Sequence, residues 1–91
     1  MDKENPTGTG SFSMNGGKAT GTNSIAFADA ENAPEDTIAS GYNAFSMGLG
    51  SVASGTSSFA RGESANASGK YSVADGYQTE ATAIAANARG Y

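Results

Sequence analysis

The chain has 91 residues, a formal net charge of −4, and 13 Gly, 17 Ala, 12 Ser and 8 Thr, so small residues make up more than half of it. Leu, Ile, Val and Phe together number ten, about 11%, below the roughly 20% under which a lone chain rarely buries enough apolar surface to fold. The absence of Cys and His removes disulfides, thiolate nucleophiles, imidazole bases and the usual zinc ligands, and five basic against nine acidic residues argue against nucleic acid, whose affinity comes mainly from Lys and Arg. These exclusions point to a non-enzymatic chain with no cofactor and no metal. Only a stacked repeat, or a core shared between chains, reverses the disorder that the composition suggests.

Residues 1–9, beginning MDKENPTG, read as a flexible N-terminal segment or linker. They lack a basic start followed by an apolar run, so no signal peptide is expected. The longest apolar stretch, Ala83 to Ala86, is too short to cross a bilayer, and direct membrane insertion by this segment is not expected.

A repeat occupies residues 10–91. Gly41, Gly48, Gly55, Gly62, Gly69 and Gly76 recur every seven residues, each closing a five-residue unit, with two residues connecting one unit to the next. A heptad would suit a coiled coil, but a glycine in every heptad costs a helix about 1 kcal/mol each time. Glycine is at home where the backbone turns with φ > 0, so short strands joined by tight turns are the better reading. The units alternate, giving a true period of 14 residues. A bulky type carries Phe12/Met14, Ile25/Phe27, Phe45/Met47, Phe59/Arg61, Val73/Asp75 and Ile84/Ala86 at its second and fourth positions. A lean type carries Lys18/Thr20, Ile38/Ser40, Val52/Ser54, Asn66/Ser68 and Glu80/Thr82. The third position of both is tiny: Ser13, Ala19, Ala26, Ala39, Ser46, Ala53, Ala60, Ala67, Ala74, Ala81 and Ala85.

Alternate side chains of a strand point to opposite faces. The third position therefore faces the interior of a coil too narrow for anything larger than Ala or Ser, and the bulky residues lie outside. The expected fold is all-β: a parallel β-roll, or β-solenoid, of about six 14-residue coils and about 29 Å of axial length at about 4.8 Å per coil. A continuous outer stripe of Phe, Met and Ile is a large apolar patch for a monomer, and another copy of the chain is expected to cover it. That assigns Phe12, Met14, Ile25, Phe27, Phe45, Met47, Phe59, Val73 and Ile84 to an interface between copies.

The pattern is interrupted three times. At 29–36 the two-residue connection becomes eight, with four carboxylates and a Pro, the mark of a solvated loop insertion. One residue is missing near Gly16, and after Thr82 a Gly and its connector are missing, so that Arg89-Gly90-Tyr91 reads as the start of an uncompleted coil. An uncapped last coil suggests a piece of a longer fibre.

The units NSIAFA, NAFSMG, SSFARG and YSVADG, alternating with KATG, VASG and ANASG, resemble the head repeats of YadA-like trimeric autotransporter adhesins. The resemblance covers about residues 10 to 90. It implies a left-handed parallel β-roll, three copies around a common axis, and attachment to host cells or extracellular matrix from the bacterial cell surface, anchored in the outer membrane through regions outside this chain. The same repeats occur in phage tail-fibre-like proteins, so a virion tail segment for host recognition, or a purely structural fibre element, stands as the alternative.

Further features carry two readings each. Tyr42, Tyr71 and Tyr77 fall in connectors, where side chains point outward: they are candidate ligand contacts, or aromatics covering small-residue strands. Arg61 and Asp75 occupy equivalent positions one coil apart and form an ion pair, buried or solvated. The acidic loop is a solvated excursion or a recognition element. Thr20, Ser40, Ser54, Ser68 and Thr82 form a hydroxyl ladder, but its neighbouring row of Lys18, Ile38, Val52, Asn66 and Glu80 is too mixed and charged to match an ice lattice.

Overall fold

A computed structural model describes residues 5–14, 16–28 and 36–90. Twelve short strands follow one another: β1 (Asn5–Pro6), β2 (Phe12–Met14), β3 (Lys18–Ala19), β4 (Ile25–Phe27), β5 (Ile38–Ala39), β6 (Phe45–Met47), β7 (Val52–Ala53), β8 (Phe59–Arg61), β9 (Asn66–Ala67), β10 (Val73–Gly76), β11 (Glu80–Ala81) and β12 (Asn87–Gly90). Odd-numbered strands form one six-stranded sheet in the order β1-β3-β5-β7-β9-β11, and even-numbered strands form a second in the order β2-β4-β6-β8-β10-β12. Every pairing is parallel. This is the parallel β-solenoid expected from the repeat, each turn adding one lean strand to the first sheet and one bulky strand to the second.

The period of 14 is the register. Phe45 lies beside Phe59 and Phe59 beside Val73, while Val52 lies beside Asn66 and Asn66 beside Glu80. The insertion appears as a longer step, Lys18 pairing with Ile38 and Ile25 with Phe45, so extra chain leaves one turn without disturbing the ladder. Of the insertion 29–36, only Asp36 is among the described residues.

The third-position residues from Ser13 to Ala81 are buried, ten side chains no larger than Ser. First positions are interior too: Ser24, Thr37, Ala44, Ser51, Ser58, Ala65, Ser72 and Thr79 are buried, as period-two alternation requires. That these positions also hold only Ala, Ser or Thr was a readable signal. The Cα framework measures 37 × 26 × 11 Å, and its thinnest dimension is close to the spacing of about 10 Å at which two sheets ordinarily stack. Several interior hydroxyls close turns: Ser24 Oγ donates to the Gly21 carbonyl at 2.7 Å and Ser72 Oγ to the Gly69 carbonyl at 2.6 Å.

The glycines do two jobs, where the sequence suggested one. Gly48, Gly62 and Gly76 have φ of 116°, 116° and 130°, the left-handed region expected of them. Gly21, Gly41, Gly55 and Gly69 are required for close approach: a Cβ at Gly55 would lie 2.1 Å from the Gly69 carbonyl oxygen. In the turns that follow them the left-handed residue is a connector, Asn23, Asn43, Ser57, Tyr71 or Ala85, with φ between 57° and 60°.

Both ends of the roll differ from expectation. The segment 1–9 contains β1, whose Pro6 sits at a sheet edge, where a residue without an N–H is tolerated; the sequence echo of Thr7-Gly8-Thr9 in Thr20-Gly21-Thr22 marks this coil. At the other end no Gly and connector are missing after Thr82. Ala83 stands in the Gly position, Ile84 and Ala85 are the connectors, and the last bulky strand is Asn87–Gly90, with Val73 paired to Asn87 and Gly76 to Gly90. Ala85 is therefore an exposed turn residue, and Ala88 holds the interior position.

Because the Gly41–Gly55–Gly69 column has no room for a methyl and the obstacle is backbone, Gly55→Ala should lower stability by more than the usual overpacking cost of about 1–3 kcal/mol. A thermal melt followed by circular dichroism reads this directly; an unchanged midpoint would show that the coils are not in such close contact.

Candidate functional site

The outer face of the second sheet carries two rows of side chains. One runs Phe12, Ile25, Phe45, Phe59, Val73, Asn87; the other runs Met14, Phe27, Met47, Arg61, Asp75, Arg89. In-register parallel pairing sets Phe45 against Phe59, while Phe27, in the other row, meets Phe12 and Phe45 diagonally across the two rows. Phe12 and Phe27 are edge-to-face at 5.7 Å, Phe27 and Phe45 likewise at 5.7 Å, and Phe45 and Phe59 stack at 5.0 Å with an interplanar angle of 15°. Contacts of this kind are worth about 0.5–1.5 kcal/mol each beyond area burial.

These contacts leave much of the face open. Phe12 is 53% and Met14 44% exposed, and Ile25, Phe27, Phe45, Met47, Phe59 and Val73 are only half-buried. The structure thus brings eight of the nine residues assigned from sequence onto one face. Ile84 is off it: at 73% exposed it lies in the turn before β12, because the coil keeps its full length there. Asn87 and Arg89 complete the rows instead. The signal for them was Gly90, placed 14 residues after Gly76 and masked by the alanine at 83.

The face changes character along the roll. Past Met47 the second row becomes charged, and Arg61 grips Asp75 through two hydrogen bonds, Nε to Oδ1 at 3.2 Å and a terminal guanidinium nitrogen to Oδ2 at 2.8 Å. That bonding to Arg61 holds the Asp75 carboxyl below its ordinary value; partial desolvation opposes the shift, and the charges of Arg61 and Arg89 add to it. Arg61 is raised in turn, chiefly by its hydrogen bonds to Asp75. Within the single chain the pair is solvated, with side-chain exposures of 52% and 31%.

The lean sheet presents a mostly polar outer face, with Ile38 and Val52 half-buried among its polar residues. Thr20, Ser40, Ser54, Ser68 and Thr82 are exposed in line, and Lys18 pairs with Asp36, at the root of the insertion, at 2.8 Å. The tyrosines lie on the two edges. Tyr42 and Tyr71, 55% and 56% exposed, occupy turns leading from the lean to the bulky sheet, where Lys70 Nζ stands 5.6 Å from the Tyr71 ring centroid. Tyr77 occupies the opposite edge, in the turn from β10 to β11. The three tyrosines do not form one cluster, and no cavity is present among the described residues. What the molecule offers a partner is surface: one apolar-to-charged face, one polar face and two edges.

Comparison with known proteins agrees with this geometry. No curated protein and no solved structure gave a significant match. The family model described as the YadA head domain repeat matches in two copies, over residues 39–62 and 53–79, which together run from within β5 to the turn before β11. In its turns of alternating lean and bulky strands, its interior of Ala and Ser and the glycines closing each unit, this stretch of the chain is similar to YadA head domain repeats.

Proposed function

We propose that the chain is a non-enzymatic segment of a homotrimeric adhesin head, in which three copies pack around a common axis through the outer face of the bulky sheet. The uncovered apolar face of a parallel sheet carries this reading. Parallel sheets are almost always covered on both faces, and here the lean sheet's outer face is mostly polar, with Ile38 and Val52 its apolar members, while the bulky sheet's carries the Phe ladder. A second copy presenting the same stripe fits it in length and chemistry, and cyclic closure leaves no stripe over.

Adhesin-like use follows from the head repeats and from the form of the surface. A rigid rod without a cavity binds through extended contacts, and three copies on one axis multiply a weak contact by raising the effective concentration of the second and third. Host cells or extracellular matrix are the proposed target and the bacterial surface the proposed location. In this assembly the bulky face turns inward, so the lean face and the turn edges are what a partner meets. Tyr42, Tyr71 and Tyr77 are the proposed contacts, since exposed aromatics supply large contact area at low entropic cost.

Three results test this reading. Fully burying a Phe is worth about 1.5–3 kcal/mol; Phe45 is half-buried already, so the interface gains roughly 1 kcal/mol per copy from it and loses far more when a carboxylate is forced in. Phe45→Asp should therefore yield monomers or insoluble protein, where the parent sediments at three times the chain mass; a soluble, stable trimer after this change would refute the interface. Second, Arg61→Ala should lower the melting midpoint at neutral pH. Asp75 titrates lower folded than unfolded, so the pair's contribution is present above the ordinary carboxylate value of 3.8 and is lost as pH falls through the folded one. The difference between parent and variant should close on acidification, and a gap that persists at pH 2 would assign the loss to packing alone. Third, replacing Tyr42, Tyr71 and Tyr77 by Ala should reduce attachment to cells or matrix by tenfold or so without changing sedimentation; undiminished attachment would move binding elsewhere.

A further inference from the structure

Gly8, Gly21, Gly41, Gly55, Gly69 and Ala83 form one column along the edge where lean strands turn into bulky ones. At each glycine an added Cβ would point at the next coil: 2.1 Å from the Gly21 oxygen at Gly8, 2.1 Å from the Gly41 oxygen at Gly21, 2.1 Å from the Gly55 oxygen at Gly41, 2.1 Å from the Gly69 oxygen at Gly55, and 2.0 Å from the Ala83 oxygen at Gly69. The obstacle is backbone each time, so no side-chain adjustment relieves it. Wherever another coil follows, the column admits only glycine.

Ala83 keeps the conformation of the glycines before it. Its carbonyl accepts the Ala86 amide at 3.1 Å, as the Gly69 carbonyl accepts Ser72 and the Gly55 carbonyl accepts Ser58 at 3.2 Å. The turn after it has Ala85 at φ 59°, matching Ser57 at 57° and Tyr71 at 60°. Its methyl group therefore points along the stacking direction, into the place a further coil's carbonyl oxygen would occupy.

We infer that Ala83 is a steric stop for the roll: no coil of this geometry can be laid over β11 and β12, whether from more of the same chain or from the first coil of a second copy. The second case bears on assembly. The open edges of β11 and β12 are templates for strand addition, and a copy stacking its β1–β2 end on them would make a head-to-tail contact that never closes. One methyl group on the edge forbids it. The other column, Gly48, Gly62, Gly76 and Gly90, ends in a glycine whose added Cβ would meet nothing within 4 Å, so the stop rests on Ala83 alone. This holds whether or not the chain trimerises.

The test adds one coil. A copy of residues 63–76, containing the equivalent of Gly69, is joined after Gly90 in the parent and in Ala83→Gly, and amide exchange of the added coil is followed by mass spectrometry. The extended Ala83→Gly chain should slow exchange in the added coil by on the order of tenfold or more and melt higher than its unextended form, as repeat arrays do when a unit is added. The extended parent should exchange there as an unfolded tail. Equal protection in both chains overturns the inference, and so does protection in neither, since the methyl would then not be what limits growth. The unextended Ala83→Gly chain, with a parental melting curve, controls for damage to the last turn.

Discussion

The distance between the two sheets is the constraint on which the rest of this structure depends. A coil of 14 residues, with strands of two residues on one side and three or four on the other, brings its walls so close that the interior accepts no more than three heavy atoms beyond Cα. The buried set is accordingly Ala, Ser and Thr. Such an interior yields little hydrophobic free energy per residue, and cohesion comes instead from continuous coil-to-coil hydrogen bonding. That bonding extends through the turns: the Ser57 amide donates to the Tyr42 carbonyl at 2.6 Å, Tyr71 to Thr56 at 2.8 Å and Gln78 to Glu63 at 2.9 Å. Pairing the backbone through the turns as well as the strands is what a fold lacking a large core requires.

A narrow interior also exports the large side chains. Every Phe, Ile and Val of the strands faces outward, so the apolar surface a globular domain would hide within itself is available for burial between molecules. In the proposed trimer this joins folding to assembly: the stripe supplies the core that the coil cannot contain. The stripe is graded, with Phe and Met over β2 to β8 and Arg61, Asp75 and Arg89 towards β12. Copies aligned in parallel set aromatic against aromatic and charge beside charge at each level. An antiparallel arrangement would set Phe12 and Met14 against Asn87 and Arg89 and desolvate the guanidinium without a partner, which is costly. Orientation is therefore written on the same face as affinity.

Much of this was legible in the amino-acid sequence. A period of 14, a tiny third position and bulky neighbours lead to narrow stacked coils, and β2 to β11 have the register those features imply. What escaped had physical reasons. Glycine is one letter for two constraints, a left-handed φ at Gly48 and a close approach at Gly55, and the sequence does not say which applies. In the last coil Ala83 interrupts the glycine series while leaving the backbone path unchanged, so the sequence suggests a strand at Ile84 where the structure has a connector. Strand β1 itself is silent in the sequence because two residues, one of them Pro, carry no alternation to detect. The bidentate grip of Arg61 on Asp75 follows from register, but its solvation depends on what covers the face, which no single chain specifies.

The turn edges show how a rigid repeat frees positions for function. Left-handed φ suits Asn23 and Asn43, whose side chains tolerate it, whereas Tyr71 and Ala85 hold the same conformation at a cost of about 1–2 kcal/mol each. They are kept there because the turn is held between two paired strands and the amide at each position is bonded to the coil before it. The stack over-determines the turn, so the side chain at its tip need not help shape it. Interior positions tolerate only three or four residue types and the bulky face is constrained by its cover, but the connectors admit Thr, Lys, Tyr, Glu, Leu and Ile alike. Side chains can therefore vary along those edges while the roll beneath stays the same, and the exposed tyrosines proposed as contacts lie on this unconstrained part of the fold.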